Sequence, residues 1–140
     1  MKLFAYWRSS ASYRVRIALN LKNVPHEIVS LNIFGDSGQQ FSPEFKVLNP
    51  QARVPLLVDG DFKLNQSLAI LEYLESKYPQ PALVPTDAKT RARMWAFCHP
   101  IAGDITPLQN RGPLAYPTPA FKARAQQKAV RRRDRLSLRR

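Results

Sequence analysis

The sequence is poor in several features whose abundance marks particular protein classes. Cys98 is its only cysteine, which excludes an internal disulfide framework and favours a reducing compartment, so we expect a cytoplasmic protein. No apolar run approaches the roughly 20 residues needed to span a bilayer, and the N-terminal stretch has no small-residue cleavage site. We therefore expect no membrane partner and no secretory signal. Metal-ligand spacing and glycine-rich phosphate loops are also lacking, so we expect no bound metal.

Acidic residues are scarce, and the imbalance is concentrated at one end. The chain of 140 residues has 22 Lys and Arg against 10 Asp and Glu. Residues 1–110 hold 12 basic and 9 acidic side chains, whereas residues 111–140 hold 10 basic and 1 acidic side chain. A basic tail raises nucleic acid as a partner, but no aromatic interleaving or reader motif accompanies these arginines. A solvated tail is the simpler interpretation, and nucleic-acid binding stays the weaker alternative.

Apolar and polar residues follow a regular pattern at the start of the chain. Residues 2–6 form a short apolar run that predicts a buried strand. Residues 12–22 place apolar side chains at helical spacing, which predicts an amphipathic helix. Between them lie three serines, Ser9, Ser10 and Ser12, any of which could cap that helix. From spacing alone, capping is the more ready explanation of these hydroxyls.

The remaining pattern predicts an α/β arrangement. In order it gives a strand over 26–33, a short helix over 42–50 begun by Ser42 and Pro43, a hairpin over 55–64, a helix capped by Ser67, and a helix from Thr86 or Asp87 that Pro100 kinks or ends. The order predicts a thioredoxin-like N-terminal domain with a mixed four-stranded sheet, followed by the start of an all-α domain. We place the first domain at residues 1–80, the first helix of the incomplete helical domain at 86–110, and a basic Pro/Arg-rich tail at 111–140.

Three segments together resemble the zeta class of glutathione transferases, the maleylacetoacetate isomerases. YWRSSASYRVRIALNLK (6–22) is similar to that family's N-terminal signature. Residues 38–75 are similar to its glutathione-binding stretch, and IAGDITPLQN (101–110) to the start of its helical domain. The resemblance covers residues 2–110. It implies a cytoplasmic homodimer that uses glutathione to convert maleylacetoacetate to fumarylacetoacetate in tyrosine and phenylalanine catabolism, with glutathione transferase activity as well.

The resemblance also implies a glutathione site. Ser9 is the expected activating hydroxyl, with Ser10 beside it, and these two are the expected catalytic residues. A hydroxyl at a helix N-terminus adds a hydrogen-bond donor to the positive end of the helix dipole, and both lower the pKa of a thiol. The residues expected to contact glutathione are Ser9, Ser10, Ala11, Ser12, Tyr13, Arg14, Gln40, Val54, Gln66, Ser67 and Asn110.

Several of these positions carry a specific expectation. Ala11 stands where many relatives have cysteine, so the neighbouring hydroxyls would have to activate the sulfur. Val54–Pro55 lies where thioredoxin-like folds place a cis proline, which would turn the peptide groups of Val54 toward the cysteinyl backbone of glutathione. Gln66 and Ser67 open a helix whose free N–H groups favour the γ-glutamyl carboxylate. Thr106 departs from the polar residue usual at its position.

The family pattern stops at Arg111. Three prolines between residues 113 and 119 interrupt any continuing helix, and the composition becomes rich in arginine, proline and alanine. Our hypothesis is that residues 111–140 are an out-of-frame or truncated C-terminus. The leading function that the resemblance implies is a glutathione-dependent isomerase. Because the helical domain is incomplete, the alternative is a glutathione-binding remnant with little catalysis.

Overall fold

Strands and helices alternate along the N-terminal half of the computed structural model, which describes residues 1–34 and 38–109. The strands are β1 (Lys2–Ala5), β2 (Glu27–Ser30), β3 (Leu56–Asp59) and β4 (Phe62–Asn65). The helices are α1 (Ser10–Leu21), α2 (Pro43–Leu48), α3 (Ser67–Lys77), α4 (Ala88–His99) and α5 (Thr106–Gln109). A single 3-10 turn, Gln39–Phe41, precedes α2, and a π-helical segment, Pro100–Ile105, separates α4 from α5.

The four strands form one mixed sheet in the order β2-β1-β3-β4. Strands β1 and β2 are parallel, so the chain must cross over between them, and α1 is that crossover. Strand β3 is antiparallel to both β1 and β4, and the β3–β4 turn contains Gly60 at a φ of +61°. This topology confirms the predicted thioredoxin-like domain with a mixed four-stranded sheet.

The core lies between the sheet and the pair of helices α1 and α3. Its buried members come from β1, α1, β3 and α3 and from the segment between α1 and β2. They are Leu3, Ala5, Val15, Ala18, Leu19, Val24, Leu57, Ile70 and Leu74. Because α1 and α3 cover the same layer, their N-terminal ends are available to form one site.

Side-chain caps define where three of the helices begin. Ser9, Ser42 and Asp87 accept hydrogen bonds from backbone N–H groups in the first turns of α1, α2 and α4. The sequence predicts the cap at Ser42, and it includes Ser9 and Asp87 among the alternatives for the other two. The predicted cap of α3 is wrong. Gln66 occupies the cap position there without a side-chain hydrogen bond, and Ser67 is the first helical residue. The N-terminus of α3 is therefore left without a side-chain cap.

A buried lysine holds the segment after α3 against the domain. The side chain of Lys22 is 1% exposed, and its Nζ lies 2.7 Å from Glu75 Oε2. The same Nζ donates hydrogen bonds to the carbonyl oxygens of Tyr78 (2.6 Å) and Pro81 (2.9 Å). The Glu75 carboxylate also accepts hydrogen bonds from the N–H groups of residues 83 and 84. These contacts fix the connector that leads toward α4.

The described residues divide into two compact units, with the boundary after Phe97. Helix α4 ends at His99, and the π-helical segment begins at Pro100. Proline has no N–H to donate, so Pro100 cannot continue the α-helical hydrogen bonds. None of the helices in the described ranges is long and apolar enough to cross a membrane. The expected tail, residues 111–140, lies outside the described residues, and the three-part division remains a prediction.

Candidate functional site

Ser9 caps α1 and still has a hydroxyl proton to donate. Its Oγ accepts a hydrogen bond from Ser12 N at 3.1 Å, and its own N–H donates to Tyr6 O at 3.0 Å. The side chain is half-buried at the junction between β1 and α1. A hydroxyl can accept through a lone pair and donate through its proton at the same time. Capping and activation of a ligand thiol are therefore compatible roles.

The other residues of the first turn differ in their access to a ligand. Ser10 is exposed and is the first residue of α1, whereas Ala11 is half-buried. Tyr13 is exposed, and the Arg16 guanidinium lies over its ring at 5.3 Å. Ser12 is fully buried, and its Oγ has no hydrogen-bond partner among the described residues. The roles expected of these residues toward a ligand stay predictions.

Arg14 connects the start of α1 to the start of α3. Its Nη1 donates a hydrogen bond to Ser67 Oγ at 3.3 Å, across 53 residues of sequence. Arg14 is half-buried and Ser67 is buried, so this contact is partly shielded from water. Two segments that the resemblance assigns to one ligand are thus brought together by a cation and a hydroxyl.

The N-terminus of α3 has the features of an anion site. Gln66 precedes the helix at a φ of +67°, and its carbonyl accepts the first helical hydrogen bond, from Ile70 N at 3.0 Å. No side chain caps the earlier N–H groups of the helix. Uncapped N–H groups and the helix dipole favour a negatively charged ligand group. The guanidinium of Arg14 lies at the same end of the helix and adds positive charge.

The Val54–Pro55 peptide bond is cis, which confirms the expectation at this position. Val54 is half-buried and lies just before β3. In the described part of the chain, its N–H and C=O form no backbone hydrogen bond. They are therefore available to pair with an extended ligand backbone.

Gln40 is the middle residue of the 3-10 turn, where its side-chain amide is buried and only partly hydrogen-bonded. It is 8% exposed, its Nε2 donates to Ile33 O at 3.4 Å, and its Oε1 has no partner among the described residues. A Cβ atom at Gly38 would collide with that Oε1, so glycine leaves the space that the amide fills. An unsatisfied buried acceptor of this kind calls for an explanation, and a donor on a ligand would supply one.

Two further expected positions lie toward the C-terminal end. Asn110 falls outside the described residues, so its expected contact stays a prediction. Thr106 donates its hydroxyl to Ile101 O at 2.6 Å, within its own helical segment. That hydroxyl is therefore occupied by the helix backbone. In the parts of the chain that the structure describes, no group of three His, Cys, Asp or Glu residues could hold a metal ion.

The residue-by-residue expectations missed a groove lined in part by the two residues that precede Ser9 in sequence. It has a volume of about 380 Å³ and adjoins the end of β1, with Trp7 exposed on one wall and the Arg8 guanidinium 5.6 Å from the Trp7 ring centroid. The full lining is Tyr6, Trp7, Arg8, Ser30, Leu31, Asn32 and Phe34. Aromatic walls and a cation suit a planar, anionic ligand. The adjacent Trp and Arg immediately before the serines were the available signal.

Known proteins are similar to this chain in both fold and sequence. Residues 3–82 match the family model described as glutathione S-transferase, N-terminal domain. The chain therefore belongs to the glutathione S-transferase family. Several of its relatives are named as zeta-class members, as the resemblance indicated.

Three relatives illustrate the similarity. The maleylacetoacetate isomerase of Rattus norvegicus is 52% identical over 108 residues, which is 77% of this chain and 50% of the rat protein. The holo structure of maleyl pyruvate isomerase, a bacterial zeta-class enzyme, superposes with a TM-score of 0.79 at 45% identity, covering 87% of this chain and 57% of that one. The maleylacetoacetate isomerase of Methylobacterium extorquens AM1, with bound malonate and GSH, gives a TM-score of 0.73 at 39% identity over 93% and 56% of the two chains.

The length of the match is limited on the relatives' side. This chain spans about half the length of the curated relatives it matches, 54% and 50% in two cases. The matched part includes the thioredoxin-like domain and therefore the α1, β3 and α3 segments described above.

Proposed function

We propose that this chain is the glutathione-binding part of a glutathione-dependent cis–trans isomerase acting on maleylacetoacetate or related cis-alkenoic acids. The observation that carries the proposal is the contact between Arg14 and Ser67, because it joins two segments expected to hold one ligand. Similarity to enzymes named maleylacetoacetate isomerase supplies the reaction class. Glutathione transferase activity toward other electrophiles is part of the same proposal.

The described residues fit glutathione as a ligand. The uncapped N-terminus of α3, with Arg14 beside it, suits the γ-glutamyl carboxylate. The free peptide groups of Val54 suit the cysteinyl backbone, which would pair with them as an added strand would. The unsatisfied Oε1 of Gln40 can accept a hydrogen bond from one of the ligand's N–H groups. Among the described residues, the Val54 peptide groups and Gln40 Oε1 have no protein partner that the ligand would have to displace.

Ser9 is proposed to lower the thiol pKa of the bound cofactor. Its hydroxyl donates to the sulfur while Oγ continues to accept from Ser12 N, so the cap of α1 is preserved. The dipole of α1 acts in the same direction. When bound, glutathione supplies a thiolate that adds reversibly to the substrate double bond, which then rotates as a single bond.

The groove lined by Trp7 and Arg8 is proposed to hold the electrophilic substrate. Arg8 would pair with a substrate carboxylate, and the exposed ring of Trp7 would cover the conjugated carbon chain. Both residues directly precede the serines in sequence, so the double bond would lie near the sulfur. Positioning of this kind contributes a large part of the rate enhancement of such a reaction.

The test is isomerase activity of the full chain, comparing Ser9→Ala with Ser10→Ala. We expect Ser9→Ala to lower kcat by roughly 100-fold, the magnitude typical of losing one donor to a developing or resident anion. In the same variant the thiol pKa of bound glutathione should rise, so the thiolate absorbance should appear at a higher pH. Equal, small effects of both substitutions, with an unchanged thiol pKa, would contradict the assignment of Ser9.

A second candidate is a glutathione-binding chain with little catalysis. The observation that favours it is length, because the chain spans about half of its curated relatives. Retention on immobilised glutathione, without turnover of maleylacetoacetate, would support this candidate. The expected dimer, cytoplasmic location and place in tyrosine and phenylalanine catabolism remain proposals, as does the weaker alternative that the basic tail binds nucleic acid.

A further inference from the structure

A buried asparagine outside the expected contacts organises the loop between α2 and β3. Asn49 is 1% exposed and lies at the C-terminal end of α2. Its Oδ1 accepts hydrogen bonds from Gln51 N (3.2 Å) and Asn65 Nδ2 (3.1 Å). Its Nδ2 donates to Arg53 O at 2.7 Å. A buried amide with both of its polar atoms engaged fixes the groups around it.

The backbone of Asn49 is anchored as firmly as its side chain. Its N–H donates to Phe45 O at 2.8 Å, at the end of α2. Its carbonyl accepts from Ala52 N at 2.9 Å, which holds Ala52 at a φ of +50°. The loop that leads to Val54 is therefore built around this one residue.

The partners of Asn49 adjoin two different parts of the proposed glutathione site. Arg53 immediately precedes Val54, whose free peptide groups are proposed to hold the cysteinyl backbone. Asn65 immediately precedes Gln66 and the uncapped start of α3, proposed to hold the γ-glutamyl carboxylate. A second contact, from Gln66 Nε2 to Gln51 Oε1 at 2.8 Å, joins the same two segments, the loop before β3 and the residues that lead into α3.

We propose that Asn49 is a positioning residue that fixes the spacing between the Val54 peptide groups and the N-terminus of α3. The inference rests on the proposed function, because it concerns the affinity of the glutathione site. Two sets of protein groups that contact one small ligand bind it tightly only if the distance between them is fixed before binding. Without the Asn49 amide, the loop must be ordered when the ligand arrives, and affinity falls.

The experiment measures the affinity of glutathione for the full-length chain by calorimetry, well below the unfolding temperature. We expect Asn49→Ala to weaken binding about tenfold, as the loss of buried hydrogen bonds of this kind typically does. Asn49→Asp keeps an acceptor for Gln51 and Asn65 but places a buried carboxylate oxygen against the Arg53 carbonyl, so it should weaken binding at least as much. The thiol pKa of bound glutathione should not change in either variant, because Ser9 lies on a different segment.

A core variant separates positioning from a general loss of stability. Val24 is buried in the core away from the loop, so Val24→Ala should lower stability and leave affinity unchanged. If Asn49→Ala does not fold, Asn65→Ala removes only one of the contacts and should weaken binding by roughly threefold. Unchanged affinity in the Asn49 and Asn65 variants, or equal weakening by Val24→Ala, overturns the inference. Failure of the unmodified chain to bind glutathione is a separate result that overturns the proposed function and the inference together.

Discussion

Two groups of buried polar atoms in this molecule differ in how completely they are satisfied. Around Lys22, the ammonium group has a carboxylate and two carbonyl oxygens as partners, and the Glu75 carboxylate accepts two backbone N–H groups in addition. At the proposed glutathione site, Ser12 Oγ and Gln40 Oε1 are buried without a described partner, and α3 begins without a side-chain cap. We call the first group closed because its buried polar atoms have partners, and the second group open because its polar atoms lack them among the described residues.

The difference separates stability from function. A buried polar group costs free energy unless it is hydrogen-bonded, so a closed network contributes to folding and an open one reduces stability. An unsatisfied buried group is retained most readily where a ligand satisfies it. On this reasoning, substitutions in the closed group should lower the free energy of unfolding, whereas those in the open group should change ligand affinity or, where they remove an unsatisfied buried atom, raise the free energy of unfolding.

The largest expected effect comes from breaking the closed group with Lys22→Met. The substitution leaves the Glu75 carboxylate buried without its cation, and such a loss typically costs about 3–5 kcal/mol of stability. Urea unfolding measures it. Lys63→Met is the matched control, because Lys63 is exposed on β4, and it should change stability by less than about 0.5 kcal/mol. Equal effects of the two substitutions would mean that the buried network does not hold the connector.

The next effect concerns the open group and is a change in affinity. Arg14→Lys keeps the charge but loses the planar guanidinium, and we expect glutathione binding to weaken about tenfold. Ser67→Ala removes the hydroxyl that Arg14 contacts. In a double-mutant cycle the two losses should be less than additive, because both act on one hydrogen bond. Fully additive losses would show that the contact does not organise the site.

The fold was largely predictable because its determinants are local. The order of elements followed from apolar periodicity and the cap at Ser42 from residue type, whereas the cap of α4 was left open between Thr86 and Asp87. The cap at Ser67 was predicted wrongly because its hydroxyl instead faces Arg14, a partner 53 residues away that no local pattern reveals. Ile70, fully buried in the core, was also not singled out, since a single helix pattern does not define which face meets the sheet.

The site was less accessible from local sequence. Spacing offered capping or activation for Ser9 as alternatives, whereas the geometry allows both at once. Family resemblance supplied the residues expected around the ligand. It did not supply Asn49, because an asparagine in a loop gives no sign that its amide joins two distant segments. Groups that meet only after folding are the part that sequence reasoning could not reach.

A smaller effect on stability should follow from Ser12→Ala. Its hydroxyl is fully buried without a described partner, so removing it should stabilise the chain by about 1 kcal/mol. Ser76→Ala is the matched control, because Ser76 is exposed within α3 and reports the helix propensity gained by alanine. Stabilisation no greater than that of Ser76→Ala would mean that the hydroxyl is satisfied and that the site is less open than described.

The smallest expected effect is a pH dependence within the closed group, because it involves a single proton. Burial acts to raise the pKa of Glu75, but hydrogen bonds from Lys22 and from the N–H groups of Val84 and Leu83 outweigh it and hold that pKa below its ordinary value of 4.5. A carboxylate whose pKa is lowered by folding adds stability above its unfolded pKa, and loses it as pH falls through the folded value. The difference in unfolding free energy between the unmodified chain and Glu75→Gln should therefore shrink below pH 4.5. A difference that stays constant through this range would show that Lys22 and the N–H groups do not favour the ionised carboxylate.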